Sequence, residues 1–315
     1  MQIKNVVLIL FFSLSLTGLI AQQDKLITNF MYDKMSINPG KTGIDMDNSI
    51  CATSIYRNQW DKVNGAPNSA VLNIEGNFSR LFKGGLGLAF YHDAIGFSRQ
   101  NNLLLNYSYP IQIGNVGVLG LGLGIGIINY GIEPNWVPPT STTDPSLPTG
   151  FAATNLDANF GAYFQGKDFY AGLSSTHLSE SLLEKSVAGL DQNYQTARHY
   201  YLMGGKTFDD VLNGKIDAQV LMRTDLVKLS FDLNARYFYT LNDQVLYGGL
   251  SYRNSDAIAV LFGYSPIERF TVGYSYDITI NKLSSVSRGS HEILFKYCFN
   301  LPEPKMTYSR NPRWL

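Results

Sequence analysis

The stretch that decides the fold is Lys228-Leu229-Ser230-Phe231-Asp232-Leu233-Asn234-Ala235-Arg236-Tyr237-Phe238-Tyr239. Leu229, Phe231, Leu233, Ala235, Tyr237 and Tyr239 take every second place, and Lys228, Ser230, Asp232, Asn234 and Arg236 fill the gaps. A helix turns about 100° per residue and would mix these sets; a strand, with its period of two, puts each on its own face. The pattern returns near the end of the chain. Ile293, Phe295, Tyr297 and Phe299 alternate with Glu292, Leu294, Lys296 and Cys298, and Phe270, Val272, Tyr274, Tyr276 and Ile278 with Thr271, Gly273, Ser275 and Asp277.

Working outward, the same alternation predicts strands at 48–57, 68–78, 84–92, 101–110, 116–130, 155–165, 169–176, 198–206, 215–223, 228–239, 245–253, 257–264, 270–278 and 290–299. Segments of about ten residues in an even number are the signature of a transmembrane antiparallel β-barrel. The connections agree, because short turns alternate with longer loops, the longest at 131–154 and 177–197, with 224–227 and 254–256 as short exceptions on the external side. In such barrels the short turns are periplasmic, which predicts that both termini are periplasmic. Pro134, Pro138, Pro139, Pro145 and Pro148 bar a regular helix or central strand from the first long loop. Ser179-Glu180-Ser181-Leu182-Leu183-Glu184 in the second suits a short helix over the barrel mouth. A soluble β-sandwich also alternates, but Tyr and Phe clustered at strand ends favour the girdles of a membrane barrel.

Composition points the same way. The 315 residues carry 25 basic and 25 acidic side chains, and only 16% are charged, against about 25% in soluble domains. Aromatics reach 13% while hydrophobic residues are an ordinary 45%. Disorder requires the opposite balance, and zero net charge argues against a nucleic-acid partner. Beyond the leader no apolar run approaches the ~20 residues of a spanning helix. Lys4, the apolar stretch from Val6 to Ile20 and the Ala21-Gln22 site read as a signal peptide over 1–21. The remaining organisation is a periplasmic N-terminal segment over 22–47, an outer-membrane barrel over 48–299 and a periplasmic tail over 300–315.

The inward set holds three features. Gly120, Gly122, Gly124 and Gly126 alternate with Leu119, Leu121, Leu123, Ile125 and Ile127. Such a row leaves room for a plug, loop or partner strand against the backbone, but eased strand curvature in a narrow barrel is the favoured reading. Cys51 and Cys298 fall on the first and last strands, neighbours in a closed barrel, and both point inward. They are expected to be close in space, with two unpaired residues favoured over a disulfide because a cross-strand bond must satisfy tight Cβ geometry. Asp217, Arg223, Lys228, Asp232, Arg236, Asp277, Glu292 and Lys296 mix signs, which suits neutralising pairs in a filled lumen better than the one-signed ring of a selective pore.

No catalytic or metal-binding constellation is legible. His92, His177, His199 and His291 form no His-Glu-x-x-His pair, and no Gly-x-Ser-x-Gly elbow occurs. Neither an enzyme nor a cofactor is expected.

The chain resembles the PorP/SprF family of type IX secretion system outer-membrane proteins. The marks are Ile37-Asn38-Pro39 with Gly43, Tyr56-Arg57-Asn58-Gln59-Trp60, Gly65-Ala66-Pro67, Gly248-Gly249-Leu250-Ser251-Tyr252-Arg253 with Asp256, Tyr274-Ser275-Tyr276-Asp277 and Gly289-Ser290-His291-Glu292-Ile293. Gly40 and Lys41 depart from the family's usual run. The resemblance implies a role in secretion or gliding motility, with a secreted or surface adhesin's C-terminal domain and other periplasmic or outer-membrane secretion components as partners, within outer-membrane lipid. A porin-like solute channel is the other expectation. Arg57, Trp60 and Pro67 at the first external loop, and Arg310, Arg313 and Trp314 in a basic-aromatic tail, are the candidate partner contacts; for Arg57 and Trp60 an anchor role, packing the loop over the barrel mouth, is the equal alternative.

Overall fold

Each alternating stretch forms one strand. The computed structural model describes residues 25–46, 48–79, 81–134, 150–180, 182–187 and 190–301. Among them lie β1 (Ser49–Asn58), β2 (Asn68–Asn77), β3 (Gly85–Ile95), β4 (Ser98–Ile113), β5 (Gly117–Ile132), β6 (Phe151–Gly166), β7 (Phe169–Thr176), β8 (Leu182–Val187), β9 (Leu190–Gln195), β10 (His199–Val211), β11 (Gly214–Thr224), β12 (Leu229–Leu241), β13 (Gln244–Arg253), β14 (Ala257–Ile267), β15 (Phe270–Thr279) and β16 (Ser290–Asn300). Fourteen of these close into one antiparallel barrel in which β1 pairs with β16 and β7 with β10. All fourteen barrel strands coincide with stretches read from the alternation.

The parity holds as well. Arg57, Asp232, Asn234, Arg236, Asp277 and Glu292 are buried, whereas Leu105, Leu233, Leu250 and Phe262 stand exposed on the outer wall. An apolar band of this extent belongs against lipid. Tyr107, Tyr109, Tyr239, Tyr297 and Phe299 gather on this outer face toward one end of the strands, and Tyr56 and Tyr252 toward the other.

Three expectations need correction. Leu182, Leu183 and Glu184 lie in no helix: β8 and β9 form a separate hairpin, which leans on β6 through Asn155 Nδ2 donating to the Leu182 carbonyl (3.2 Å). Cross-strand pairing with residues some ten positions later overrode the local preference.

The second correction concerns the N-terminal segment, which does not hang free of the barrel. Residues 25–46 run through the lumen as a 3-10 turn (Phe30–Tyr32), the single-turn helix α1 (Lys34–Ile37) and another 3-10 turn (Pro39–Lys41). Phe30, Met31 and Ile37 pack against Tyr163, Tyr201, Met203 and Leu261 of the inner wall. Met46 ends at the short-turn end of the barrel, where its carbonyl accepts from Asn77 Nδ2 (2.9 Å). Leu26 lies at the opposite, long-loop end, in one cavity with Trp60, Asp256 and Asn281. The described chain therefore begins and ends at opposite mouths, not on one side as the strand count alone suggested. An epitope placed before Lys25 is expected to be read from the face that bears the 59–67 loop, and one placed after Leu301 from the other. Protection of both tags on the same face would overturn this threading.

Cys51 and Cys298 are close, as expected, but the favoured unpaired state is corrected: they stand directly opposite in the β1–β16 register and are joined by a disulfide. The signal peptide (1–21), most of the prolines of the 131–154 loop, and Arg310, Arg313 and Trp314 lie outside the described residues.

Candidate functional site

The threaded segment is held at three levels. At the short-turn end, Lys41 Nζ pairs with Glu75 (2.7 Å) and Asp45 (2.8 Å), and the Gly43 N–H donates to Glu75 Oε2 (3.0 Å). Gly43 sits at φ +67°, with the Gly76 carbonyl 2.6 Å from where a Cβ would be. Only glycine meets both conditions.

At mid-height the Ile37-Asn38-Pro39 motif is the anchor. Asn38 Nδ2 donates to the carbonyls of Ala162 (3.0 Å) and Leu173 (3.2 Å), while its Oδ1 accepts from the Gly40 N–H (2.9 Å). Ser174 Oγ donates to the Ile37 carbonyl (2.8 Å) and Ser108 Oγ to the Gly40 carbonyl (2.7 Å). Pro39 and Gly40 rest on the glycine row: a Cβ on Gly120 would meet the Gly40 carbonyl oxygen at 2.1 Å, and one on Gly122 the Pro39 carbonyl carbon at 2.1 Å. The favoured reading of that row, eased curvature, needs correction at Gly120 and Gly122, where the backbone of the threaded segment lies close against the strand. Gly126 instead faces the neighbouring Leu103 carbonyl.

At the long-loop end the segment enters a buried charge network. The N–H groups of Thr28 and Asn29 donate to the two oxygens of Glu292 (2.9 and 2.7 Å), and Asn29 Nδ2 adds a third bond (2.7 Å). The Thr28 hydroxyl donates to Asp277 Oδ2 (2.8 Å) and accepts from Arg57 Nη1 (2.9 Å) and Arg253 Nη2 (3.2 Å). Arg57 bridges Asp277 (2.7 Å) and Glu292 (3.2 Å). Arg253 holds Asp232 (2.7 Å) and Asp256 (3.3 Å), and Arg223 closes the chain onto Asp232. Arg57, Asp277 and Glu292 are each no more than 1% exposed. Charges this deep persist only when paired and hydrogen-bonded, and each has several partners.

The motif residues quoted separately along the sequence thus converge. Arg57, Arg253, Asp277 and Glu292 come from four motifs on four strands and meet around Thr28 and Asn29. Of the two readings of Arg57, partner contact and structural anchor, the structure favours the second: it is enclosed, because its strand position points it inward and the threaded segment covers it. Trp60 lies half-buried at the mouth, its backbone N–H donating to Ser290 Oγ (3.1 Å). Pro67 braces the same loop by accepting from the Gln59 N–H (2.9 Å). Thr28 and Asn29 escaped the sequence reading; the visible trace was a set of motif charges on inward positions, Arg57 opposite Glu292 and Arg253 opposite Asp232 on neighbouring strands, with nothing in the alternation to show what covers them. His177 pairs with Asp157 (2.8 Å) at the loop end, and His92 and His291 bond to Asn101 and Tyr274.

A family model described as "Type IX secretion system membrane protein PorP/SprF" matches residues 19–297. The chain belongs to the PorP/SprF family. Its match takes in the residues of the lumen segment as well as nearly all of the barrel. No curated protein matches the chain. Among solved structures it is similar to the toluene transporter TbuX of Ralstonia pickettii, at 11% identity and TM-score 0.54, over 86% of this chain and 94% of that one. It is also similar to the CymD monoaromatic hydrocarbon channel, at 12% identity and TM-score 0.51, over 86% and 93%. Likeness at this identity speaks to the barrel fold. As a PorP/SprF barrel the chain resides in the outer membrane as a type IX secretion system membrane protein.

Proposed function

We propose that this PorP/SprF protein is a non-catalytic docking barrel, which aids export or surface anchoring of a secreted adhesin through contacts with the adhesin's C-terminal domain at the long-loop mouth. In this reading that mouth faces the cell exterior, and the short-turn end meets periplasmic or outer-membrane secretion components. The tail with Arg310, Arg313 and Trp314 supplies a basic-aromatic contact there. Gliding motility is served where the adhesin is a motility adhesin.

The observation that carries the reading is the occupied lumen. Residues 25–46 fill the barrel along its length, and the inward charges near the loop end engage each other and that segment. A barrel so filled offers surfaces at its mouths in place of a path along its axis. The test is affinity capture of the full-length protein from outer membranes. Recovery of a large adhesin or a periplasmic lipoprotein is expected.

The channel reading draws its support from the names of the two solved barrels. It requires the thread to move, and solute-driven swelling of liposomes that carry the unaltered protein would favour it over docking.

A further inference from the structure

At the long-loop mouth a recess of about 200 Å³ is lined by residues of the loops, the strand ends and Leu26 of the thread. Its floor is closed, because Arg253 in its wall also holds Thr28 in the charge network. It is smaller than the ~300–1,000 Å³ of drug-sized ligand sites and suits one apolar side chain with a polar head.

Its hydrogen-bonding capacity is lopsided. Asp256 is occupied by Arg253 Nη1 (3.3 Å) and Asn281 Nδ2 (2.9 Å). Asp225 Oδ1 accepts from the N–H groups of Val227 (3.0 Å) and Lys228 (2.7 Å). Burial alone would raise its pKa, but these backbone donors hold the carboxyl below its usual range. The acids of the recess are thus engaged internally, whereas two donors are left over. Arg223 is 7% exposed: its Nη1 donates to the Lys25 carbonyl (3.3 Å), its Nη2 pairs with Asp232, and its enclosed Nε is left without a partner. Lys228 has no acidic partner among the described residues. Leu26, Trp60 and Val227 add apolar lining to the same recess. Trp60 is held at φ +51°, a backbone region that bulky residues rarely adopt and that marks sites where geometry is imposed.

We infer that this recess binds the terminal carboxylate of a partner polypeptide whose last residue is apolar, the carboxylate meeting Arg223 and Lys228 and the side chain lying on Trp60 and Leu26. Capture of a chain terminus by converging donors is a recurrent recognition mode. A lipid phosphate is disfavoured because the recess opens inside the barrel rim, between the thread and inward-facing strand ends, away from the lipid wall. The inference rests on the docking function proposed above and narrows it to one contact.

The test uses the purified full-length protein in detergent and a dye-labelled hexapeptide ending in phenylalanine, as the free acid and as the C-terminal amide. The acid is expected to bind at least tenfold more tightly than the amide. Lys228→Gln and Trp60→Ala, both at the rim, are expected to weaken it fivefold or more without altering the heat-modifiable migration of the folded barrel. Equal binding of acid and amide, or none of either, overturns the inference. Displacement by inorganic phosphate as effective as by N-acetylphenylalanine also overturns it, since it reveals a bare anion site. Capture of a partner by the Lys228→Gln/Trp60→Ala protein as efficient as by the unaltered one removes this contact and leaves the docking function standing.

Discussion

Arg57→Ala is expected to destabilise the barrel by about 3–5 kcal/mol, the range found when one member of a buried ion pair is removed. The loss exceeds that of a surface pair, worth ~0–1 kcal/mol, because Asp277 and Glu292 are left adjacent, fully buried and without their shared cation. Thr28 loses a donor at the same time, so the upper part of the thread is expected to loosen before the wall does. Arg57→Lys should rescue little, since an ammonium cannot span both carboxylates as the planar guanidinium fork does. The measurement is the urea midpoint of the protein refolded in lipid vesicles. Adding Asp277→Asn and Glu292→Gln to Arg57→Met should recover more than half of the loss, because that triple change removes the charges together. A midpoint unmoved by Arg57→Ala would show that the network contributes nothing to closure of the lumen.

Gly122→Val is expected to expel the middle of the thread. The added Cβ would lie 2.1 Å from the Pro39 carbonyl carbon and 2.2 Å from the Gly40 nitrogen. Both are backbone atoms with no rotamer to adopt, so the penalty should exceed the ~1–3 kcal/mol typical of overpacking. The wall itself need not distort, because a strand takes valine readily. Two changes should therefore appear together: protease cleavage within 25–46, and ion conductance across a planar bilayer where the unaltered protein is silent. Gly248→Val is the matched control, since nothing lies within 4 Å of a Cβ there. Protection and silence retained in the Gly122 variant would mean that the thread does not rest on this row.

These two sites show what a sequence can and cannot reveal about such a molecule. Every strand of the wall was legible, because inside and outside are written locally, residue by residue, as in 228–239. The thread was not legible. Its turns are a few residues long, its apolar residues follow no period, and the bonds that fix it join Thr28 to Glu292 and Asn38 to Leu173 across most of the chain. What the sequence did carry was the complement of the thread: glycines at 120 and 122 without a stated occupant, and Arg57, Arg253, Asp277 and Glu292 without a common partner. The β8–β9 hairpin was missed for a related reason, since a run such as Leu182-Leu183-Glu184 suits a helix as long as its pairing partner is unknown.

The bond between Cys51 and Cys298 has a topological consequence. It joins the first strand of the wall to the last, so residues 51–298 form a covalently continuous hoop in an oxidising compartment. Residues 25–46 pass through that hoop from their attachment at its base, which makes the molecule a lasso with its tail drawn inside. No parting of the β1–β16 joint can release the tail sideways while the bond holds. It can leave only lengthwise, by retreating toward the short-turn end where it is tied, with its tip travelling the full height of the wall.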